Sequence, residues 1–446
     1  MYLVPSMCSY PGQNLIIHCS STSCGGGFTC RADYYCPTGE IPSKGICPGN
    51  VVKHPKNLGR PSECIGNPCN PATGNKYQRE IDYSGAATGL SFMRHYNSQL
   101  GHVDQGLGYG WTHRFAPSLQ VSPSQVLVHQ SDGRAESFHR VNGTWQGDAD
   151  SHLQLTRDGS GYTLTNDQGV TEHYDLEGKI LSRTNRVNRT TSYHYNSAGR
   201  LDSVTGPFGH VLTLNYNTDH RIAAMTDPGG GVYRYDYDSR GNLIQVTYPD
   251  GTFKLYHYED PDFPHALTGI TDENGDHYAR FAYNASGQAI LTEHAVTSNP
   301  QAQEHFELSY DSPTQTTVTD AIGTAEVLTF AENLGVKHLI SRIQQGDRKG
   351  IHRVYDASNN LIRSTDPEGR TNTYAYNAFQ QRIAITEATG SPAARTTRIA
   401  YLSPDLDLPV RILQPSIVPG KFRETVVEYN PDHTVQSITT LGHRSD

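Results

Sequence analysis

The side chains best suited to covalent or metal chemistry are eight cysteines. All fall within the first 69 residues: Cys8, Cys19, Cys24, Cys30, Cys36, Cys47, Cys64 and Cys69. An even number of thiols set densely among Gly and Pro reads as a disulfide framework in an oxidising compartment. Zinc is the rival reading, but there is no Cys-x-x-Cys pair, and at least four residues separate each cysteine from the next. His18 and His54 lie nearby and read as solvated loop residues. Eight cysteines allow about 105 pairings, so the connectivity stays open.

Carboxylates recur at intervals: Asp227, Asp250, Asp272, Asp320 and Asp366. Two acids about 5–10 Å apart could cleave a glycosidic bond, and a ladder of stacked acids could hold calcium. Each of these Asp residues, however, stands where Gly, Pro or Asn announces a turn, and the glycine-rich calcium nonapeptide is missing. The plainer role is a turn carboxylate bonding its own backbone. The 21 histidines are scattered, and His173, His194 and His257 each sit beside a regularly spaced Tyr. The zinc-protease His-Glu-x-x-His, the hydrolase Gly-x-Ser-x-Gly and the phosphate-cradling glycine loops do not occur. No catalytic, cofactor or metal residue is assigned, and the expectation is a non-enzymatic protein.

What positions these residues is a repeat. Tyr174, Tyr195, Tyr216, Tyr237 and Tyr258 follow one another at intervals of 21. Around Tyr237 the chain reads Tyr233-Arg234-Tyr235-Asp236-Tyr237-Asp238-Ser239-Arg240-Gly241-Asn242-Leu243. Alternation places Tyr233, Tyr235 and Tyr237 on one strand face. Asp-x-x-Gly then turns the chain, and Leu243 starts the return. Gly178 and Gly199 repeat the pattern; the unit at Tyr216 lacks the Gly but keeps Arg221-Ile222. The phase loosens after Tyr258 and resumes at Tyr283, Tyr355 and Tyr376. A second turn alternates with the first, as in Asp227-Pro228-Gly229 and Asp366-Pro367-Glu368-Gly369. A period of about 20 residues implies a hairpin array whose units complete one another.

Upstream, the chain carries Ala72-Thr73-Gly74-Asn75, then Arg94-His95-Tyr96-Asn97-Ser98, then Gly108-Tyr109-Gly110-Trp111-Thr112-His113. These read as two or three strands, with Gly108 and Gly110 marking a bulge or a close backbone approach. The polar residues here read as strand residues facing solvent or plugging the sheet, in preference to a ligand site. Shorter strands over 121–170 read as degenerate units leading into the array.

With both halves in view, the chain resembles the RHS (rearrangement hot spot) family, whose repeat runs Tyr-Asp-x-x-Gly-Arg-Leu. Tyr195–Leu201, Tyr237–Leu243 and Tyr355–Leu361 match most fully. Asn75, Arg94, Tyr96, Asn97, Gly108, Tyr109, Gly110 and Trp111 resemble the domain that precedes such repeats. The resemblance implies an all-β fold: an array of Tyr-Asp hairpins forming part of a β-shell. Trp111 and Phe115 would pack its first turn. The expected organisation is a Cys-rich disulfide segment (1–69), an RHS N-terminal domain (70–140) and an incomplete repeat shell (141–446).

By resemblance, such proteins are bacterial polymorphic toxins that enclose a C-terminal toxin, and teneurins in animals. The implied role is the N-terminal part of a toxin-encapsulating protein in interbacterial competition, secreted or on the cell surface. The implied partners are a toxin cargo, secretion-apparatus components or cell-surface glycans. Asp366-Pro367-Glu368-Gly369-Arg370 departs from the family's Asp-Pro-x-Gly-Leu release motif where Leu is required. A carbohydrate-binding module is the alternative, and a glycoside-acting enzyme the third reading. The net charge of −9 argues against a nucleic-acid partner, and no apolar run reaches the roughly 18 residues of a membrane span. Met1–Met7 lacks a signal peptide's charged start and apolar core, so the true start is expected upstream or export is expected to proceed without one.

Overall fold

The structure is a computed structural model that describes residues 7–9, 16–18, 55–67, 69–294 and 304–444. The chain divides into two compact units, Met1–Lys53 and His54–Asp446. In the first, β1 (Met7–Ser9) pairs antiparallel with β2 (Ile16–His18). The cysteines from Cys19 to Cys47 lie outside the described residues, and of Cys8 only the backbone is described.

Among the described residues of the second unit everything regular is strand, apart from single 3-10 turns at Pro55–Asn57 and Ser98–Leu100. Among the described residues no helix is long and apolar enough to cross a membrane. Three strands, β3 (Tyr77–Gly85), β4 (Leu90–Asn97) and β5 (Trp111–His113), make the first sheet. A second sheet of four runs from β6 (Ser118–Val121) through β7 (Gln125–His129) and β8 (Ala135–Val141) to β9 (Thr144–Gly147). Residues 118–147 are therefore a sheet of their own, where the sequence suggested degenerate first units of the array. The array proper is one sheet of 26 strands in strict chain order, from β10 (Leu153–Arg157) to β35 (Val435–Arg444).

The repeat has a local physical cause. At Tyr174, Tyr195, Tyr216, Tyr237, Tyr283, Tyr355 and Tyr376 the outgoing strand ends on the Tyr and the return strand carries a β-bulge: Tyr195 pairs with Leu201 and His194 with Ser203, leaving Asp202 unpaired. The bulge shifts the side-chain phase by one. Residues three apart, Leu243 and Val246 or Ile222 and Met225, thus both point inward and are fully buried. It also ends the ladder to the next strand early. The Ser182↔Ser192 pair is the last one there, so the Ile180 carbonyl lies beyond it.

The next Tyr satisfies that carbonyl. Tyr195 Oη donates to Ile180 O at 2.8 Å, Tyr216 to Leu201 O at 2.8 Å, Tyr237 to Ile222 O at 2.7 Å and Tyr376 to Leu361 O at 3.0 Å. Tyr283 and Tyr310 do the same to Leu267 and Ala289. The basic residue of one unit covers the next unit's ring: Lys179 over Tyr195 at 5.5 Å, Arg200 over Tyr216 and Arg221 over Tyr237 at 5.7 Å. The Asp or Asn after each Tyr caps the turn, as Asp238 Oδ1 accepts from the amides of Arg240 and Asn242. Its third successor takes positive φ. Where Gly is missing, His220, Asn359 and Gln380 adopt φ of 70°, 63° and 64° instead.

The strip also meets its own beginning. Asp407 N donates to Asp167 O at 2.9 Å, and Gln380 Nε2 reaches Ala149 O at 2.6 Å. Residues 55–67 lie on the array as well, with Asn57 Nδ2 on Gly335 O and its Oδ1 on Lys337 N.

Tyr237, wedged under Arg221, should matter more than Tyr401, whose phenol bonds Arg382 O from an exposed position. Tyr237→Ala is expected to lose about 3–5 kcal/mol of stability and Tyr401→Ala clearly less, read as urea midpoints. His220→Gly, which relieves a left-handed non-glycine backbone, should gain up to about 1 kcal/mol, seen as a raised Tm.

Candidate functional site

The sequence feature with most buried chemistry is a polar stripe on β3. Lys76, just before the strand, and Gln78, Glu80 and Asp82 within it occupy alternate positions on one face and are all buried, whereas Arg79 and Ile81 point outward. Such an inverted strand is tolerable only if every polar group finds a partner. The Lys76 ammonium donates to Asn67 O at 3.1 Å, Tyr77 O at 2.7 Å and Gln78 Oε1 at 2.9 Å, and sits 4.1 Å from the Phe281 ring centroid. Burial pushes it down to about 8. Gln78 Nε2 passes the stripe on to Glu80 at 2.8 Å. Glu80 in turn takes Lys254 Nζ at 3.0 Å from the array.

The stripe ends in an ion pair. A bulge at Asp82 frees it from the β3–β4 ladder. Arg94 on β4 donates from Nε to Asp82 Oδ2 at 2.7 Å and from Nη2 to Oδ1 at 2.8 Å, with both side chains fully buried. The array completes the pair. Tyr235 Oη donates to Asp82 Oδ2 at 2.8 Å and Arg94 Nη2 to Tyr256 Oη at 2.9 Å. The guanidinium lies 4.9 Å from the Trp111 ring, 5.3 Å from Tyr256 and 5.9 Å from Tyr235. Burial works against its charge, but Asp82 and Tyr256 outweigh it and hold Arg94 well above its ordinary pKa. Burial and the Asp82 charge keep the Tyr235 phenol protonated.

The motif residues read from the sequence converge on this interface. Tyr96 Oη donates to His265 O and accepts from Leu267 N, both at 2.9 Å. Trp111 Nε1 donates to Tyr258 Oη at 2.8 Å, which gives that repeat Tyr a different partner from its fellows. Tyr109 lies against His265 with ring centroids 4.0 Å apart. Gly108 has φ of +82°, and a Cβ there would stand 2.7 Å from Gly241 O; at Gly110 it would stand 2.5 Å from the Tyr96 ring. Asn75 Nδ2 and Gly59 N share Asn97 Oδ1 at 2.9 and 2.8 Å, while Asn97 Nδ2 reaches Asp132 O. These residues plug the sheet and do not face solvent. Phe115 packs near the array's start, its ring 6.0 Å from Tyr193. Trp111 was expected there too but meets Tyr256 and Tyr258 instead, because β5 lies over later strands.

Lys76, Gln78, Glu80 and Asp82 carry the interface but escape a sequence reading that assumes apolar residues face inward. Their alternate spacing, with Arg94 as counter-charge, is the signal that was present.

Among the described residues no two cysteines are joined. Cys64 and Cys69, expected in the disulfide framework, are free thiols. Their sulfurs turn to different carbonyls, Pro61 O and Asn67 O, both at 3.6 Å, and burial pushes the Cys69 thiol up to about 11. Among the described residues no cluster of three or more His, Cys, Asp or Glu could hold a metal ion. The five recurrent carboxylates are turn residues: Asp227 accepts from Gly229 and Gly231, Asp272 from Asn274 and Asp276, Asp320 from Ile322 and Thr324, and Asp366 from Glu368 and Arg370. Asp250 accepts from Thr252 in the same way.

Two family models match parts of the chain. The RHS repeat model matches residues 174–211, 216–252 and 355–392, and a domain of unknown function, DUF6531, matches 66–138. No curated protein matches the sequence. Among solved structures, the Photorhabdus luminescens Tc holotoxin pore (TccC3-D651A mutant) is 10% identical over 82% of this chain and 26% of its own, with a TM-score of 0.42. A TcdB2–TccC3 crystal structure is 12% identical over 82% of this chain and 24% of its own, with a TM-score of 0.27. The present chain thus spans about a quarter of those chains.

Removing one member of the ion pair strands the other in the interior. Arg94→Met should therefore cost about 3–5 kcal/mol, measured by denaturant unfolding. Gly108→Ala, strained in φ and driven into Gly241 O, should lower Tm in the same direction. Two buried histidines set a pH dependence. Burial depresses His95 to about 4 and His113 to about 3, while the unfolded chain protonates both near 6.5. The unfolded state then binds more protons below that value, so stability is full above pH 6.5 and falls as pH drops toward 4, by up to about 2.7 kcal/mol per unit. Melting curves between pH 7 and pH 5 should show the loss, and His95→Gln should flatten it.

Proposed function

This chain is an RHS-repeat protein, and from that premise we propose that it is a non-enzymatic structural part of a secreted or cell-surface toxin-delivery protein. In this reading the repeats form part of a wall and the β3–β5 sheet is an internal plug that fixes the wall's curvature. A toxin cargo, joined to the same gene product, is its partner, and competition between bacteria is the setting.

The observation that carries the reading is where the aromatic residues go. Tyr235, Tyr256 and Tyr258 of the array spend their rings and hydroxyls on Asp82, Arg94 and Trp111. A sugar platform needs neighbouring exposed rings. Among the described residues the well-exposed aromatics, Phe208, Phe253, Tyr278 and Phe379, form no ring pair with one another, and the Tyr278 ring packs edge-on against His294. The glycan-binding alternative accordingly has less support.

The test is protease treatment of the full gene product purified from its producing cells. The reading expects a segment downstream of the repeats to co-purify, to resist protease while the repeats are folded, and to be toxic to competitor cells when freed. A product that ends with the repeats, leaves competitors unharmed and binds immobilised glycans would overturn it in favour of a surface-binding module.

A further inference from the structure

A cavity of about 260 Å³ opens where the three sheets of the second unit meet. Met93 of β4 and Arg114 just after β5 form one wall, Val128 and Gln130 a second, and the array strands β10 and β11 (Tyr162–Asn166) the third. Its polar end holds more positive than negative charge. Glu172 is the one carboxylate lining it, and that group is already engaged: Tyr174 Oη donates to Oε2 at 2.6 Å and Arg183 Nε to Oε1 at 3.2 Å. Arg114 is different. Its backbone amide bonds Met93 O, but among the described residues its guanidinium has no hydrogen bond or ion pair. Burial, then Arg183, lowers its pKa. Arg79 adds a further positive charge behind Met93, with Nη2 3.3 Å from Met93 Sδ. The rest of the lining is mixed: His129, Gln130, Ser131 and Asn166 are polar, and Met93, Val128, Leu153 and Leu164 supply an apolar side.

We propose that this cavity is a binding site for a small carboxylic acid with an apolar body, the carboxylate held by Arg114 and the body by Met93, Val128, Leu153 and Leu164. A planar guanidinium with free donors matches a carboxylate in a two-point bond. A ligand of this kind brings the missing negative charge and covers apolar surface in one step. The inference stands apart from the toxin-delivery reading, since it concerns only this chain's own cavity.

Phenylacetate is a fitting probe and 2-phenylethanol its uncharged counterpart. Titration of the full chain, followed calorimetrically and by ligand-detected NMR, should give saturable phenylacetate binding with Kd on the order of 0.1–1 mM. 2-Phenylethanol should not bind measurably. Arg114→Gln should weaken phenylacetate about tenfold or more, and Arg114→Lys should recover part of the loss. Because the Arg114 side chain holds no partner, both variants should melt with the wild type, which separates lost binding from lost folding. The proposal is overturned if phenylacetate shows no saturable binding at about 10 mM, a concentration above any useful affinity. It is equally overturned if 2-phenylethanol binds as well, or if Arg114→Gln binds unchanged.

Discussion

A buried backbone carbonyl must find a donor, and in this protein that requirement sets the period of the chain. The bulge after repeat Tyr residues such as Tyr195 and Tyr216 turns two residues three apart into the core, but it leaves a carbonyl, such as that of Leu201 or Ile222, beyond the end of the ladder. The phenol of the next unit supplies the missing proton. That bond fixes the distance between units, because a Tyr displaced by one residue would face the other side of the sheet. The basic residue over the ring and the Asp or Asn cap of the turn refine the same unit. Neighbouring units thus complete each other, as in any one-dimensional array.

The second constraint is charge in the interior. A buried ion pair is not in itself a large source of stability, since desolvation offsets much of the attraction. What the Asp82–Arg94 pair supplies is registration. Two further hydrogen bonds come from Tyr235 and Tyr256, roughly 150 residues further along, while Arg94 Nη1 has no hydrogen-bond partner. The observed seating of the β3–β5 sheet on the array makes these bonds together with those of Lys76, Glu80 and Trp111. The sheet therefore specifies which repeats it meets, and the repeats specify how the sheet sits. The plug and the wall described under the proposed function depend on that mutual choice.

Much of the array was legible because its signal is repeated. The Tyr spacing, the Asp-x-x-Gly turns and the alternating faces of strands such as β18 (Val232–Tyr237) all read directly from the residues. The unit at Tyr216, which lacks Gly, folds like the rest because His220 accepts the left-handed backbone. The N-terminal motif was legible as a group of residues, but its depth of burial was not. Arg94, Asp82 and Lys76 look like surface residues until a partner far along the chain is known to cover them. Cys64 and Cys69 misled for a related reason. Spacing showed two thiols near others, but the fold turns their sulfurs to separate carbonyls.

The most direct test of this account is native-state hydrogen exchange compared between the wild type and Asp82→Asn. If the buried polar stripe joins the first sheet to the array, the amides of β3 and β4 and those of β18 and β20 (Phe253–His257) share one opening free energy. The substitution should then accelerate both groups by the same factor. Faster exchange in β3 and β4 alone, with β18 and β20 unchanged, would show that the sheet merely rests on the array and would contradict the account.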